Sequence, residues 1–190
     1  MIAAEDTILV LLAAGKSKRF ISDESKLDMP IGDLPLGLYA ARALAALPFK
    51  ARAAIVRRCR VDYAAHGFHV IENTDPVGDI ASSLRLGVTF AQAQGAVAVL
   101  VALADMPRIT AGHVRRLLEA ADGAEAVVAS SIAGAAPRPP AVFGSDQFET
   151  LLSLSGDHGA RDLIRSGQRI EAPAAELVDI DTQEDLASLA

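Results

Sequence analysis

The sequence predicts a single-domain α/β fold, a Rossmann-like three-layer sandwich built on a mostly parallel sheet. Short runs that are apolar on both faces alternate with segments of helical pattern, the signature of βαβ units whose sheet is covered on both sides. The chain has 190 residues, 51% of them hydrophobic, which suffices for one sizeable core. No repeat or low-complexity tract interrupts it, so one domain is expected over residues 1–190. Residues 134–140 (GAAPRPP) come nearest to a linker but are too few to separate domains.

In chain order, the first strand is expected at residues 8–12. It breaks into Ala13-Ala14-Gly15-Lys16-Ser17-Lys18-Arg19-Phe20, a turn of small and cationic residues. Small residues let the backbone approach a ligand, and unpaired N–H groups attract an anion. Lys16, Lys18 and Arg19 concentrate positive charge in a chain whose net charge is −6, which points to a polyphosphate. Two familiar phosphate motifs are excluded. A Walker A loop needs a glycine five positions before Gly15, where Val10 stands, and Gly15 is the loop's one glycine, too few for the dinucleotide fingerprint. An acidic stretch, Ile21-Ser22-Asp23-Glu24-Ser25, separates this turn from Lys26.

A helix is expected at residues 38–47, strands at 53–57 and 69–72, and a helix at 80–94. Asn73 follows the third strand, and Ser82 and Ser83 stand at the helix start, where serine caps and can also meet a base or ribose. The strand at 97–103 runs into Ala104-Asp105-Met106-Pro107. Ligands of such sheets bind at the carboxyl ends of strands. A carboxylate there is poorly solvated unless it is paired or holds a cation, and Pro107 fixes where Asp105 points. Thr110 is placed to cap a helix at 111–121, and a strand at 126–131 follows. A helix at 157–165 begins beside the glycines that flank Asp157. A strand at 176–180 and a helix at 182–189, capped by Asp181 or Thr182, complete the pattern.

Several classes are excluded. Net negative charge argues against nucleic-acid and membrane binding. Cys59 is the one cysteine, which fits a reducing compartment and reads as a packed or half-buried side chain. Glu5 and Asp6 stand where a signal peptide would be positive, and no run is long enough to span a bilayer, so a cytoplasmic protein is expected. The four histidines lack metal-ligand spacing, and no Ser-His-Asp order is present.

Residues 11–20 resemble the LAAGxSxR(F/M) opening of the MobA-like nucleotidyltransferases, the group that includes molybdenum-cofactor guanylyl- and cytidylyltransferases. Further segments are similar in family order. Leu103-Ala104-Asp105-Met106-Pro107 resembles the metal-binding strand end. Asn73 with Ile80-Ala81-Ser82-Ser83-Leu84-Arg85 resembles the asparagine and the serine-rich helix start. The Pro140–Phe143 spacing, then Leu154-Ser155-Gly156-Asp157-His158-Gly159-Ala160-Arg161, resembles the cytidylyltransferase branch. Asp179-Ile180-Asp181-Thr182 opens a segment like the family's ending. The chain departs from the pattern at residues 21–25 and at Asp79, which stands where the family has glycine.

The resemblance implies a nucleotide-diphospho-sugar transferase type of fold and Mg²⁺-dependent transfer of NMP from an NTP, CTP or GTP, with pyrophosphate released. The acceptor would bear a phosphate, molybdopterin first, with a molybdoenzyme as a further partner. Arg19, Lys26 and Asp105 would be catalytic. Leu12, Ala13, Ala14, Gly15, Ser17, Asn73, Ser83 and Asp157 would bind the nucleotide or acceptor. Mg²⁺ would sit on Asp105, with Asp181 as a second carboxylate. Two alternatives stay open: transfer to a sugar phosphate or another small phosphate, and a non-catalytic protein that binds nucleotide or cofactor for a molybdoenzyme.

Overall fold

The computed structural model describes residues 1–15, 25–156 and 159–188. Strand β1 (Thr7–Ala13) is buried at every position but Leu12, as befits a strand covered on both faces. It pairs in parallel with β4 (Ala51–Val56) on one side and β6 (Ala98–Leu103) on the other. Strand β5 (His69–Glu72) extends this half in parallel beyond β4. A short antiparallel ribbon, β2 (Pro30–Ile31) with β3 (Leu34–Pro35), leads into helix α1 (Leu36–Leu44).

Strands β7 (Val127–Ser131), β8 (Arg138–Gly144) and β9 (Gln168–Glu171) form the other half of the sheet. Among the described residues the sheet order is β5-β4-β1-β6-β8-β7-β9. Strand β8 runs against both neighbours, and β9 runs parallel to β7, so the sheet is mostly parallel with a reversed strand.

Alternate side chains of β1 serve opposite layers. Leu9, Leu11 and Ala13 pack in the core that holds α1 and helix α3 (Ala111–Ala120). Ile8 and Val10 pack in the core that holds helices α2 (Ile80–Ala93), α4 (Phe148–Ser153) and α5 (Arg161–Ser166). Each fully buried aliphatic side chain contributes roughly 1.5–3 kcal/mol relative to exposure. Helix α2 lies close against β1 because residue 87 is glycine; a Cβ there would come within 2.3 Å of Val10 Cγ1.

The structure adds a strand where none was expected and corrects two expectations. The linker-like residues 134–140 run into β8, an interior strand. Pro139 and Pro140 fit because the ladder to β6 ends at the Val101–Ala141 pair, and the register with β7 slips between Ala129 and Ser130. Residues 176–180 are not a strand: a 3-10 turn spans Ala174–Leu177, and the chain then crosses the carboxyl end of the sheet. Finally α5 begins at Arg161 rather than at Asp157, which lies outside the described residues. The last helix, α6 (Gln183–Ala187), opens on a capping box between Thr182 and Asp185. Among the described residues no helix is long and apolar enough to cross a membrane.

Candidate functional site at the carboxyl ends of β1 and β6

Strands β1 and β6 end side by side. The Ala104 amide donates to the Leu12 carbonyl at 3.1 Å, which brings Gly15 and Asp105 to the same end of the sheet. Asp105 Oδ2 lies 2.7 Å from Lys26 Nζ. Lys26 sits in the 3-10 turn Lys26–Asp28, whose cap residue Ser25 accepts from the Leu27 amide at 3.3 Å. Its ammonium also donates to the Ile180 carbonyl at 2.6 Å and to Asp181 Oδ1 at 3.1 Å. The Ile180 amide returns a bond to the Asp105 carbonyl at 3.0 Å. The crossing segment is therefore pinned to both members of the ion pair.

Burial pulls Lys26 toward losing its proton, but the Asp105 carboxylate, joined by Asp181, outweighs it and holds the ammonium above its ordinary value. Burial raises the proton affinity of Asp105; Lys26 opposes this, while the charges of Asp179 and Asp181 add to it. Asp105 Oδ1 is buried and has no hydrogen-bond partner among the described residues. A buried carboxylate oxygen without a partner suits a hard cation, which needs few protein carboxylates. Among the described residues no group of three or more His, Cys, Asp or Glu gathers into a metal cage.

A cavity of about 280 Å³ opens here, bounded by Leu12, Ala14 and Gly15, by Lys26 and Asp105, and by the start of α2. That start is firmly built. One Asp79 oxygen accepts from the Ser82 amide at 2.6 Å and the other from the Gly156 amide at 2.8 Å. Hydrogen bonding by these amides holds the Asp79 carboxyl below its ordinary value. Asn73 Nδ2 donates to Ser82 Oγ at 2.9 Å and to Ser83 Oγ at 2.8 Å, so the asparagine braces the helix start from β5. Gly78, at φ +55°, lets Arg57 pass: a Cβ there would fall 1.4 Å from Arg57 Nη1, which donates to the Asp75 carbonyl at 2.7 Å.

Of the residues expected from sequence, Leu12, Ala14, Gly15, Lys26, Ser83 and Asp105 line this one cavity. Ala13 points into the core on the α1 side, and Asn73 is buried behind the two serines. Asp181 is about half exposed and reaches the site through Lys26. Ser17, Arg19 and Asp157 lie outside the described residues. Asp79, not Ser82 or Ser83, caps α2. Sequence reasoning could have found that, since an aspartate three positions before Ser82 is a strong cap. The Ile180 carbonyl carried no signal, because a backbone atom leaves none in the sequence.

Residues 9–172 match the family described as MobA-like NTP transferase domain. The chain is 33% identical over 195 positions to the purine catabolism protein PucB of Bacillus subtilis (strain 168), with 93% of this chain and 92% of that one covered. It superposes on the crystal structure of the Mycobacterium tuberculosis Rv0371c homologue from Mycobacterium sp. strain JC1 with a TM-score of 0.77, at 27% identity and 97% coverage of both chains. The Rv0371c complex with manganese from Mycobacterium tuberculosis H37Rv has the same fold, with a TM-score of 0.74 at 21% identity, covering 100% of this chain and 98% of that one.

Proposed function

Because this chain belongs to the MobA-like NTP transferase family, we propose that it is a cytoplasmic nucleotidyltransferase moving an NMP from CTP or GTP to a phosphate-bearing acceptor, molybdopterin first. The observation that carries this reading is Asp105, whose Oδ1 has no hydrogen-bond partner among the described residues and which borders the cavity at the ends of β1 and β6. The acceptor's phosphate is an anion near neutral pH, so the chain needs no general base. Its residues bring two anions into line and offset their charge.

The backbone at Ala14 and Gly15 forms the wall along which the triphosphate lies, and Ser17 and Arg19 are assigned to the same group by the resemblance. Ser83, seated by Asn73, faces the nucleoside. Asp157 is assigned to binding the nucleotide or acceptor by the resemblance. Lys26 keeps Asp105 ionised and oriented, and its charge favours phosphate beside it. Asp105, with Asp181 as the second carboxylate, would hold Mg²⁺; a structure of similar fold, that of Rv0371c, is a complex with manganese. When bound, that ion supplies Lewis-acid polarisation of phosphate oxygens and a template for them. The acceptor assignment rests on the resemblance of residues 154–161, and a molybdoenzyme would receive the product.

Pyrophosphate release from each of the four NTPs, with Mg²⁺ and with or without molybdopterin, tests the proposal. Release with CTP or GTP only when molybdopterin is present is expected. Asp105→Asn, whose amide oxygen still accepts from Lys26, should lower turnover roughly 100-fold or more without unfolding the chain. Full activity in that variant sinks the mechanism. Nucleotide binding with no release from any NTP favours the accessory reading instead.

A further inference from the structure

An ammonium has three N–H donors, and three protein oxygens converge on that of Lys26. Asp105 Oδ2 lies 2.7 Å from Nζ, the Ile180 carbonyl 2.6 Å and Asp181 Oδ1 3.1 Å. With its donors so engaged, the ammonium can grip a phosphate oxygen only by releasing one of these partners. Asp181 yields most readily. Its contact is the longest of the three, and its side chain is 47% exposed, so water can take over the carboxylate.

The same ammonium stands against a divalent cation. The buried Asp105 Oδ1 and the Oδ2 that meets Lys26 belong to one carboxylate, so a cation there would share it with the ammonium. Like charges on one buried carboxylate repel, with little water between them to screen the repulsion. Asp181, the other carboxylate of the group, is bonded to the same ammonium. The two are also tied together: the Ile180 amide donates to the Asp105 carbonyl at 3.0 Å, which fixes the segment carrying Asp181 beside Asp105. Lys26 therefore closes both carboxylates with a single charge.

We propose that Lys26 is an internal counter-cation, a latch that bars a lone divalent cation from Asp105 and Asp181 and opens when a polyphosphate draws its ammonium off Asp181. The opening by polyphosphate rests on the NMP-transfer reading above; the barring of a lone cation does not. A cation arriving alone must push the ammonium away with no anion to receive it. In the presence of a polyphosphate the ammonium passes from one oxygen to another, and no charge is stranded. Polyphosphate and cation each remove the obstacle to the other, so their binding is coupled through Lys26.

Titration of the full chain with Mn²⁺ alone, read from the electron paramagnetic resonance signal of the free ion, tests the latch without turnover. The parent and Lys26→Arg, which keeps the charge, should both bind Mn²⁺ weakly. Lys26→Gln loses the charge and should bind roughly tenfold tighter or more, and adding Asp105→Asn should abolish the gain. Equal affinity in parent and Lys26→Gln overturns the proposal, as does a gain that survives Asp105→Asn. The parent supplies a second measurement that does not depend on how the variants fold, from carbon-13 placed at lysine Cε. Saturating CTP or GTP, with metals chelated, should shift the Lys26 resonance, and Mg²⁺ alone should leave it in place. A shift with Mg²⁺ alone overturns the latch, and a nucleotide that binds without moving Lys26 overturns its opening. If neither nucleotide binds while Lys26→Gln still gains Mn²⁺ affinity, the barring of the cation stands and the NMP-transfer reading fails.

Discussion

Lys26 holds its proton against the pull of burial, because Asp105 and Asp181 converge on its ammonium together with the Ile180 carbonyl. Removing one member of a buried pair leaves the other uncompensated. Lys26→Met should therefore cost about 3 kcal/mol of stability at pH 7, measured by urea unfolding. The sign with pH follows from Asp105, whose carboxyl burial already raises and Lys26 holds down. Without the ammonium it takes a proton more readily, so the stability gap between variant and parent should narrow as pH falls from about 7 to about 5. A gap constant over that range refutes the pairing. Asp105 was legible in the sequence as a carboxylate at a strand end. The grip on Lys26 was not, since its partners Ile180 and Asp181 lie 154 and 155 positions away.

Helix α2 reaches the site only because it can lie on β1. Gly87→Ala would drive a methyl group into Val10, a stiff β-branched side chain, and should destabilise by roughly 1–3 kcal/mol. Adding Val10→Ala to that variant should recover part of the loss, and strict additivity in the double-mutant cycle would contradict the contact. At its first turn, Asp79→Ala removes the bonds to Ser82 and Gly156 and should cost about 1 kcal/mol near neutral pH. Because the folded Asp79 carboxyl lies below its ordinary value of 3.8, this contribution is present above that pH and fades as pH falls through the folded value. Apolar runs made β1, β4, β6 and β7 readable. Strand β8 was hidden by its leading Arg138-Pro139-Pro140, and β9 by a polar face, Gln168-Arg169-Ile170-Glu171, that looks like loop.

The layers are joined across the molecule by a buried polar chain. His113 Nε2 lies 2.8 Å from Ser130 Oγ, which donates its hydrogen to the Pro140 carbonyl at 2.8 Å. The hydroxyl must then accept from Nε2–H, leaving Nδ1 to accept from Arg116 Nη2 at 3.0 Å. Burial holds the imidazole below its ordinary 6.5, with Glu176 opposing and Arg116 assisting. The unfolded chain takes up this proton at 6.5 and the folded chain resists, so the contribution is present above 6.5 and declines as pH drops below it. Parent and His113→Gln should differ most at neutral pH and converge toward pH 5.5 in thermal unfolding; a gap that widens on acidification would refute the neutral tautomer. The three-layer plan itself was legible, because strands apolar on both faces permit few other arrangements. The order of strands beyond β6 was not, since nothing local marks β8 as reversed.

The crossing of residues 178–181 over the end of the sheet divides the chain by task. Among the described residues every strand of the sheet precedes Pro173, whereas the Ile180 carbonyl and Asp181 follow it. A protease cut between Pro173 and Ile180 would spare every strand yet sever the sheet from the segment that grips the Lys26 ammonium.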